Sequence, residues 1–388
     1  MVRHKKWSFL FLILSAFVLL LLVVFISLNS GASFNDINAM AASSDTSGFT
    51  ATFIDVGQGD SSLITCDGHS MLIDGGTSDQ SQKLYSILKS QNINQLDYVV
   101  CTHPHADHAG GLPGALAYAK VGAAFAPVTT YDNSSFNKYV KAVEKQGKSI
   151  IVPEVGSMYP LGNAIITVLG PTDVEPSMDP NDISLVLRID YGQNSFLFSG
   201  DAEQEEQQLL MWNEYDLLNV DVLKAAHHGS SNGASYAFIK AVSPSVTVIS
   251  CGVGNSYGHP HAEALELLQQ YNSALYRTDL QGDIVVSSDG TNISVAVSKN
   301  ELAAVWTPGV GETASDTTTR QTPVVEDNSA TTQTDSGVTY IVNINTKKFH
   351  LPTCPSVKKM KESNKMTFTG SREDLINQGY DPCQNCNP

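Results

Sequence analysis

The chain has few positively charged residues. Its 388 residues include 23 Lys and Arg against 39 Asp and Glu, which gives a formal net charge of −16 at pH 7. This balance excludes a broad basic surface that would hold nucleic acid by its phosphates. If the ligand carries phosphate groups, bound metal ions must therefore supply much of the local positive charge.

Long apolar segments are also scarce. The stretch from Phe9 to Leu28 is the one long enough to cross a bilayer as a helix, so the chain is not itself a multi-span channel. Basic residues precede this stretch and none follows closely, which predicts a cell-membrane anchor in residues 1–30 with everything downstream outside the cell. A cleaved signal sequence, ending near Ala39–Ala41, is the alternative. Residues 31–48 would form a short tether.

Cysteine is rare in most of the chain. Of six cysteines, Cys66, Cys101 and Cys251 lie in apolar, strand-like surroundings that are typical of small core residues. The other three fall in the last 35 residues. They follow a stretch at 299–337 that is rich in Thr, Ser, Asp and Val, which we predict to be a disordered linker. Residues 338–388 would then form a small separate module.

This C-terminal module contains four potential ligands with the spacing of a structural zinc site: His350-x3-Cys354 and Cys383-x2-Cys386. A unit this small needs a stabilising constraint such as a bound metal ion. The module resembles the short Ada-type metal-binding modules, with His350 in place of one cysteine. One disulfide plus a thiol is the alternative, which the odd number of cysteines disfavours. The module is also rich in basic residues: Lys347, Lys348, Lys358, Lys359, Lys361, Lys365 and Arg372. These residues would let it contact DNA or an anionic wall polymer; the alternative is that they only form a solvated charged face.

The densest cluster of potential ligands follows a predicted buried strand, Leu96–Cys101. Three histidines and an aspartate lie within six residues: His103, His105, Asp107 and His108. Gly110 and Gly111 follow them. Imidazole and carboxylate are ligands that suit zinc, manganese and iron. On a loop that leaves a strand, the first two side chains can face one way and the last two the other. One loop could therefore serve two adjacent metal ions.

The H-x-H-x-D-H pattern resembles the signature of the metallo-β-lactamase superfamily. Five further motifs occur in the order found in the hydrolase domain of ComEC-type competence proteins: Phe53–Ser61, Leu72–Gly76, Asn181–Leu187, Phe198–Asp201 and Leu223–Ser230. The resemblance covers about residues 49–298. Periodicity alone predicts only a mixed α/β domain, whereas the resemblance implies a four-layer αββα metallo-β-lactamase sandwich.

The resemblance also implies a ligand set for two divalent ions, zinc or manganese. The first ion would be bound by His103 and His105, the second by Asp107, His108 and His228, and both by Asp201. Asp74 would support the metal loop, and His227 would lie beside His228. The plain alternatives are that Asp74 is a turn residue of Asp-Gly-Gly and that Asp201 only forms a turn.

Two residues are implied in the chemistry itself. Asp107 could orient the attacking water as well as bind metal, and His259 could donate a proton or hydrogen bond to a scissile phosphate. Alternatively, His259 is a surface residue at the start of a helix.

The sequence departs from many superfamily members at the first metal ion. These carry a third histidine for that ion, but no histidine occurs between His108 and His227. The corresponding stretch is Asn181–Ser184. The first ion would therefore have an open position or be weakly held, or Asp182, Ser184 or water would complete its site, and Ser184 joins the candidate catalytic residues. Oxygen ligands and open positions favour manganese over zinc and weaken a β-lactamase assignment.

These features predict an exported metal-dependent hydrolase, above all a phosphodiesterase or nuclease that acts on extracellular DNA or RNA. One alternative is a cell-wall phosphodiesterase, such as a phosphocholine esterase of teichoic acid, or another ester or lactam hydrolase. Another is a non-catalytic protein that binds DNA or the cell wall.

Overall fold

The computed structural model describes residues 48–175 and 178–309, and in the C-terminal part residues 338–343, 345–352, 354–361, 364–370, 375 and 380–383. The predicted membrane anchor, nearly all of the tether, and residues 310–337 of the predicted linker lie outside these ranges. None of the helices described combines the length and the apolar character that crossing a lipid bilayer requires. The described residues fall into two compact units, 48–309 and 338–383.

The first unit contains two β-sheets. Sheet 1 has eight strands, in the spatial order β15 (Ile293–Val297), β14 (Ile284–Ser288), β1 (Phe49–Phe53), β2 (Ser62–Cys66), β3 (His69–Ile73), β4 (Gln95–Val100), β5 (Lys120–Phe125) and β6 (Ile150–Ile151). Sheet 2 has seven, in the order β13 (Ala274–Arg277), β12 (Val246–Ile249), β11 (Val222–Lys224), β10 (Asn194–Phe198), β9 (Val186–Tyr191), β8 (Ala164–Gly170) and β7 (Met158–Leu161). Each sheet is antiparallel in one half and parallel in the other, from β3 to β6 and from β10 to β13.

The two sheets face each other across the main hydrophobic core. Residues of β1 alternate between buried and partly exposed, as expected for a strand with one face in a core. Its two phenylalanines lie against aromatic rings of β10, with centroids 4.5 Å apart for Phe49 and Phe196 and 5.8 Å for Phe53 and Phe198. Apolar burial between the sheets is therefore the main force that holds this unit together.

Helices cover the outer face of each sheet through two further hydrophobic clusters. Outside sheet 1 lie α1 (Ser81–Ser90), α2 (Ala106–Ala109), α3 (Leu112–Tyr118) and α4 (Ser134–Lys145). Outside sheet 2 lie α5 (Gln204–Asn213), α6 (Tyr215–Leu218), α7 (Tyr236–Val242) and α8 (Ala262–Gln270), and the short α9 (Thr278–Gln281) follows β13. The predicted four-layer αββα sandwich is thereby confirmed.

The sequence did not predict every element. The sequence from Leu112 to Lys120 predicts a helix, but in the structure the helix ends at Tyr118, and Lys120 begins strand β5, which pairs with β4 and β6. The sequence of β5, KVGAAF, has weak strand propensity. It becomes a strand because its place between two parallel neighbours satisfies its backbone groups and buries Ala124 and Phe125.

The folded domain also extends past the predicted boundary at residue 298. Val305 and Trp306 pack against the cluster beneath the helices of sheet 2. Arg277, which is only 2% exposed, donates hydrogen bonds to the carbonyl oxygens of Val305 and Thr307. A buried guanidinium needs such acceptors, so the segment up to Gly309 belongs to the domain and not to the linker.

The second unit is a four-stranded sheet in the order β18 (Lys365–Gly370), β16 (Val338–Asn343), β17 (Lys348–His350) and β19 (Asp381–Pro382), with one short helix, α10 (Pro355–Lys358). Its described core comprises four buried side chains and their partly buried neighbours. Such a core is too small to stabilise a unit without a further constraint.

We predict that Trp306→Ala will lower the free energy of unfolding of the first unit by about 2 kcal/mol, because it removes an aromatic side chain that packs on the core. Leu302→Ala is the matched control, since Leu302 is 95% exposed four residues earlier and its loss should change stability by less than about 0.5 kcal/mol. Denaturant titration of both variants measures the difference. Equal stability of the two would show that the segment after residue 298 contributes nothing to the domain.

Candidate metal centre and active site

The metal loop comprises the residues after β4 and the short helix α2, and it is fixed by tight backbone packing: His103 and His105 precede α2, whereas Asp107 and His108 lie within it. A Cβ atom at Gly111 would lie 2.0 Å from the carbonyl oxygen of Gly75, so no larger residue fits there. The backbone N–H of Gly75 donates to the carbonyl oxygen of His108, at 2.7 Å. The two glycine pairs, Gly75-Gly76 and Gly110-Gly111, therefore hold the loop against the end of β3.

His103 and His105 lie side by side, with Nε2 of His103 3.0 Å from Nδ1 of His105. His103 is fully buried. Burial and the neighbouring charge of His108 hold the pKa of His103 well below its usual range. Its imidazole is thus neutral, which is the form that binds metal ions. The structure brings together the two residues predicted for the first ion.

A second cluster forms around Asp201 at the carboxyl ends of β10 and β11. One ligand atom from each of four buried residues lies within 4.8 Å of the others: Asp60, His108, Asp201 and His228. Nε2 of His108 is 3.2 Å and Nε2 of His228 is 3.4 Å from Oδ2 of Asp201. Asp107 joins this group through Oδ2, 3.3 Å from Nε2 of His228. The predicted ligands of the second ion thus converge with the predicted bridging carboxylate.

The donor set fits a divalent cation. Three of its buried atoms have no hydrogen-bond partner among the described residues: Nε2 of His108, Nε2 of His228 and Oδ1 of Asp201. Leaving such groups unsatisfied is costly, and two imidazoles with carboxylates are a donor set that divalent metals accept. The residues present therefore fit a metal centre.

An unusual backbone turn places His228. After β11 the residues His227, His228 and Gly229 have φ values of +46°, +54° and +80°. For a residue other than glycine the left-handed region costs about 1–2 kcal/mol, and such strain is typical of functional sites. The turn points both histidine rings towards Asp201.

Buried carboxylates fix the orientation of two ligand histidines through their Nδ1 atoms. Asp74 accepts hydrogen bonds from the backbone N–H and the hydroxyl of Thr102, both at 2.7 Å, and lies 2.9 Å from Nδ1 of His108. Asp60 lies 3.1 Å from Nδ1 of His228 and pairs with Lys224. A carboxylate on Nδ1 directs Nε2 towards the metal and is a common feature of metal-binding histidines. Asp74 is placed as the predicted support of the metal loop.

Asp60 was not among the residues that the sequence singled out. Its only signal was its place in the Phe53–Ser61 motif, after a glycine turn and before β2. Although burial opposes ionisation, the charges of Lys224 and His228 hold the pKa of Asp60 below its usual value. Lys224 is 2% exposed and its Nζ also donates to the carbonyl oxygen of Ala225, at 2.7 Å. Lys224 thus neutralises Asp60 and does not face a substrate.

His227 has a carboxylate partner too. Its Nδ1 lies 2.9 Å from Oε1 of Glu203, and its Nε2 lies 3.9 Å from Oδ2 of Asp201. Nδ2 of Asn181 donates to the same oxygen of Glu203, at 2.9 Å. The hydrogen bond with His227 holds the pKa of Glu203 below its usual value. Glu203 and Asn181 are further site residues that the sequence did not indicate individually.

His259 lines the same site and is not a surface residue. It is 4% exposed, and its ring centroid lies 5.3 Å from that of His227 and 6.1 Å from that of His228. Burial, with the charges of His228 and His227, lowers the pKa of His259 to about 3. A neutral imidazole at this position can donate one hydrogen bond at neutral pH.

Ser184 and Asp182 lie behind the metal loop. The Ser184 hydroxyl accepts a hydrogen bond from the backbone N–H of Asp201, at 3.1 Å, so it positions the bridging carboxylate; a catalytic role for Ser184 stays a prediction. Oδ1 of Asp182 accepts from the backbone N–H groups of Glu203 and Glu206, at 2.9 and 3.2 Å. Oδ1 of Asp182 thus holds the start of α5, and a role of Asp182 at the first metal ion stays a prediction.

Comparison with known proteins agrees with this architecture. Residues 54–253, just over half of the chain, match the model of the metallo-beta-lactamase superfamily. The chain belongs to this superfamily. Its members are usually metal-dependent hydrolases, and this chain has a buried cluster of Asp and His residues that could hold a metal ion.

Competence proteins are among the relatives of this superfamily domain, which confirms the predicted resemblance. The chain is 31% identical over 249 residues to ComE operon protein 3 of Bacillus subtilis, covering 60% of the chain and 32% of the relative. It is 27% identical over 264 residues to Recombination protein 2 of Haemophilus influenzae, covering 66% of the chain and 31% of the relative. The chain thus spans about a third of the length of these relatives. Among solved structures, the metallo-beta-lactamase fold protein YhfI of Bacillus subtilis aligns with 62% of the chain and 100% of its own, with 13% identity and a TM-score of 0.43.

The C-terminal unit has its own cluster of potential ligands. His350, Cys354 and Cys383 are buried, with one ligand atom of each within 4.8 Å of the others. The two sulfur atoms are 4.0 Å apart, about twice the length of a disulfide bond. Nδ1 of His350 has no hydrogen-bond partner among the described residues. These three residues fit a zinc ion; the fourth predicted ligand, Cys386, lies outside the described residues.

We predict that Asp74→Asn will weaken binding of manganese or zinc by about 10- to 100-fold, because His108 loses the carboxylate that directs its Nε2. Asp79→Asn is the control, since Asp79 is exposed and touches none of the ligands. Isothermal titration calorimetry of both variants gives the affinities, and circular dichroism checks that both fold. If Asp74→Asn binds metal as tightly as Asp79→Asn, Asp74 does not support the metal loop.

We predict that Cys383→Ser will lose the zinc ion of the C-terminal unit and unfold that unit at a lower temperature, since its small core depends on the metal. Cys66→Ala, in the buried core of the first unit, should keep its zinc. Native mass spectrometry and a thermal melt measure both effects. An unchanged metal content in Cys383→Ser would favour the disulfide alternative.

Proposed function

We propose that the protein is a metal-dependent phosphodiesterase that cleaves DNA or RNA outside the cell. The observation that carries this proposal is the convergence of histidine and aspartate ligand atoms on Asp201. Two of these histidines, His108 and His228, each have a buried carboxylate at Nδ1. The relationship to competence proteins supports nucleic acid as the substrate.

The proposal includes two adjacent divalent ions. His103 and His105 would hold one, Asp107, His108 and His228 the other, and Asp201 would lie between them. Bound cations of this kind supply the Lewis acidity that polarises a phosphoryl group and activates a water molecule. Zinc and manganese both accept this donor set.

Other side chains of the site would act on the substrate and the water. The Asp107 side chain is 29% exposed, so it faces the open side of the site, where it can orient the attacking water. His259, neutral and anchored, can donate a hydrogen bond to a phosphoryl oxygen. Glu203 fixes the ring of His227 beside it, so the wall of the site that meets the substrate is rigid.

The apolar stretch Phe9–Leu28 supports a location at the outer face of the cell membrane, with secretion after cleavage as the alternative. The lysines of the C-terminal unit support contact with DNA or with an anionic wall polymer. Both assignments are part of the proposal.

We predict that the full chain in detergent will cleave single- or double-stranded DNA or RNA with manganese or zinc and that EDTA will abolish cleavage. His105→Ala and Asp201→Ala should each lower the rate by about 100-fold or more, because each removes a metal ligand. His69→Ala should cleave like the unmodified protein, since the His69 side chain is 53% exposed and pairs with Asp97 away from the site. Gel analysis of labelled oligonucleotides measures the rates.

Three other results would each redirect the proposal. If metal-loaded protein leaves DNA and RNA intact but hydrolyses a small phosphodiester, the chemistry stands and the substrate is of another class, such as a wall phosphodiester. Hydrolysis of esters or lactams alone would remove phosphodiesters altogether. Nucleic-acid binding that survives His105→Ala, with no hydrolysis of any substrate, would identify a binding protein.

A further inference from the structure

An exposed tyrosine stands at the mouth of the metal centre. The loop after β12 carries two exposed apolar side chains, Val253 and Tyr257, with exposed fractions of 77% and 65%. The Tyr257 ring is stacked on the ring of His259, with centroids 5.5 Å apart and an angle of 21° between the planes. A tyrosine that is buried on one side and largely exposed on the other presents a flat aromatic surface to solvent.

This tyrosine continues a series of rings that begins in the metal centre. Ring centroids are 5.3 Å apart for His108 and His228, 6.1 Å for His228 and His259, and 5.5 Å for His259 and Tyr257. Tyr257 therefore lies two ring contacts away from a predicted metal ligand. A group linked to a phosphate in the centre would reach it.

The loop is held in place, so the position of the ring is defined. The Asn255 side chain accepts from the backbone N–H of His259, at 2.9 Å, and donates to the carbonyl oxygens of Gly252 and His259, at 2.9 and 2.7 Å. Gln58 accepts from the backbone N–H of Gly252, at 3.1 Å, which ties the loop to the turn that carries Asp60. Rigid placement keeps the entropy cost of stacking low.

The charge of the chain favours base stacking as the interaction that holds the part of the substrate outside the metal centre. The chain has a net charge of −16, and Lys224 is buried and paired with Asp60. Within the site itself, affinity for a nucleic acid must therefore come from the metal centre and from contacts that need no positive charge. Stacking of bases on aromatic side chains is such a contact and tolerates any base sequence.

We propose that Tyr257 is a stacking platform for a nucleobase next to the reacting phosphate, and that it makes the site selective for nucleic acids over phosphodiesters without bases. This inference rests on the proposed function and adds the feature of the substrate that is recognised. Tyr257 acts on binding, whereas the metal ligands and Asp107 act on the reaction.

The test compares two oligonucleotides of equal length, one with bases and one in which the nucleotides around the cleavable position are abasic. For the substrate with bases, Tyr257→Ala should raise KM by about 5- to 100-fold with little change in kcat, and Tyr257→Phe should behave like the unmodified protein. For the abasic substrate, Tyr257→Ala should change neither constant. Tyr215→Ala, which removes a tyrosine that is 58% exposed, is the control and should change nothing.

Two results would overturn the role of Tyr257. Unchanged kinetics of Tyr257→Ala on the substrate with bases would show that no base stacks there. An equal loss on both substrates would show that Tyr257 acts by positioning His259. Fluorescence anisotropy gives the Kd of the same oligonucleotides, so stacking is tested independently of cleavage. Binding that depends on Tyr257 without any hydrolysis would refute the proposed phosphodiesterase and leave the platform standing.

Discussion

Asp201 is buried, with only 2% of its surface exposed. Four histidine Nε2 atoms lie between 3.2 and 3.9 Å from its Oδ2 atom: those of His108, His228, His103 and His227. Burying so many polar groups is costly unless each finds a partner of opposite charge. The rest of the site meets this requirement at the Nδ1 atoms of three of these histidines. Asp74, Asp60 and Glu203 each face the Nδ1 atom of one histidine and leave its Nε2 atom directed at Asp201.

The same constraint explains how protons and metal ions compete. Without a cation, the carboxylates around His108 and His228 raise the pKa of both imidazoles well above the usual range, although burial acts against this. Protons then balance the charge of Asp201. A bound divalent cation would supply that balance instead and release the protons, because only the neutral imidazole is a ligand. The histidines of the site therefore offer two ways of stabilising one buried carboxylate.

The fold supplies the geometry by bringing strand ends together. The metal loop follows β4 of sheet 1, whereas Asp201 and His228 follow the adjacent parallel strands β10 and β11 of sheet 2. The carboxyl ends of parallel strands lie at one edge of a sheet, which is a common place for sites in α/β folds. Packing of Phe53 on Phe198 near these ends sets the two sheets at a fixed separation and thereby fixes the distance between the two halves of the ligand set.

Those features of the fold and the site that depend on residues close together in the sequence could be predicted from local patterns. The ligand loop, the glycine pairs and the alternation in β1 all follow from spacings within a few residues. Asp60 was missed because its partner, His228, is 168 residues away, and no pattern within the motif indicates that contact. The sequence predicts residues 299–309 as part of the linker, because no local pattern indicates that the buried guanidinium of Arg277 needs carbonyl oxygens from this segment. Strand β5 was missed because its pairing with β4 and β6 outweighs its alanine-rich sequence.

The acidity of the chain has a further consequence for the order of events at the site. Lys224 is committed to Asp60, so among the described residues histidines, and no lysine, pair with Asp107 and Asp201 where a substrate would bind. A phosphodiester carries the same sign of charge as these carboxylates and is repelled by them in a low-dielectric pocket. The repulsion becomes attraction only when divalent cations occupy the ligands. For the proposed phosphodiester substrate, we therefore expect metal binding to precede substrate binding, and we expect the metal centre to be the main source of affinity for phosphate within the first unit.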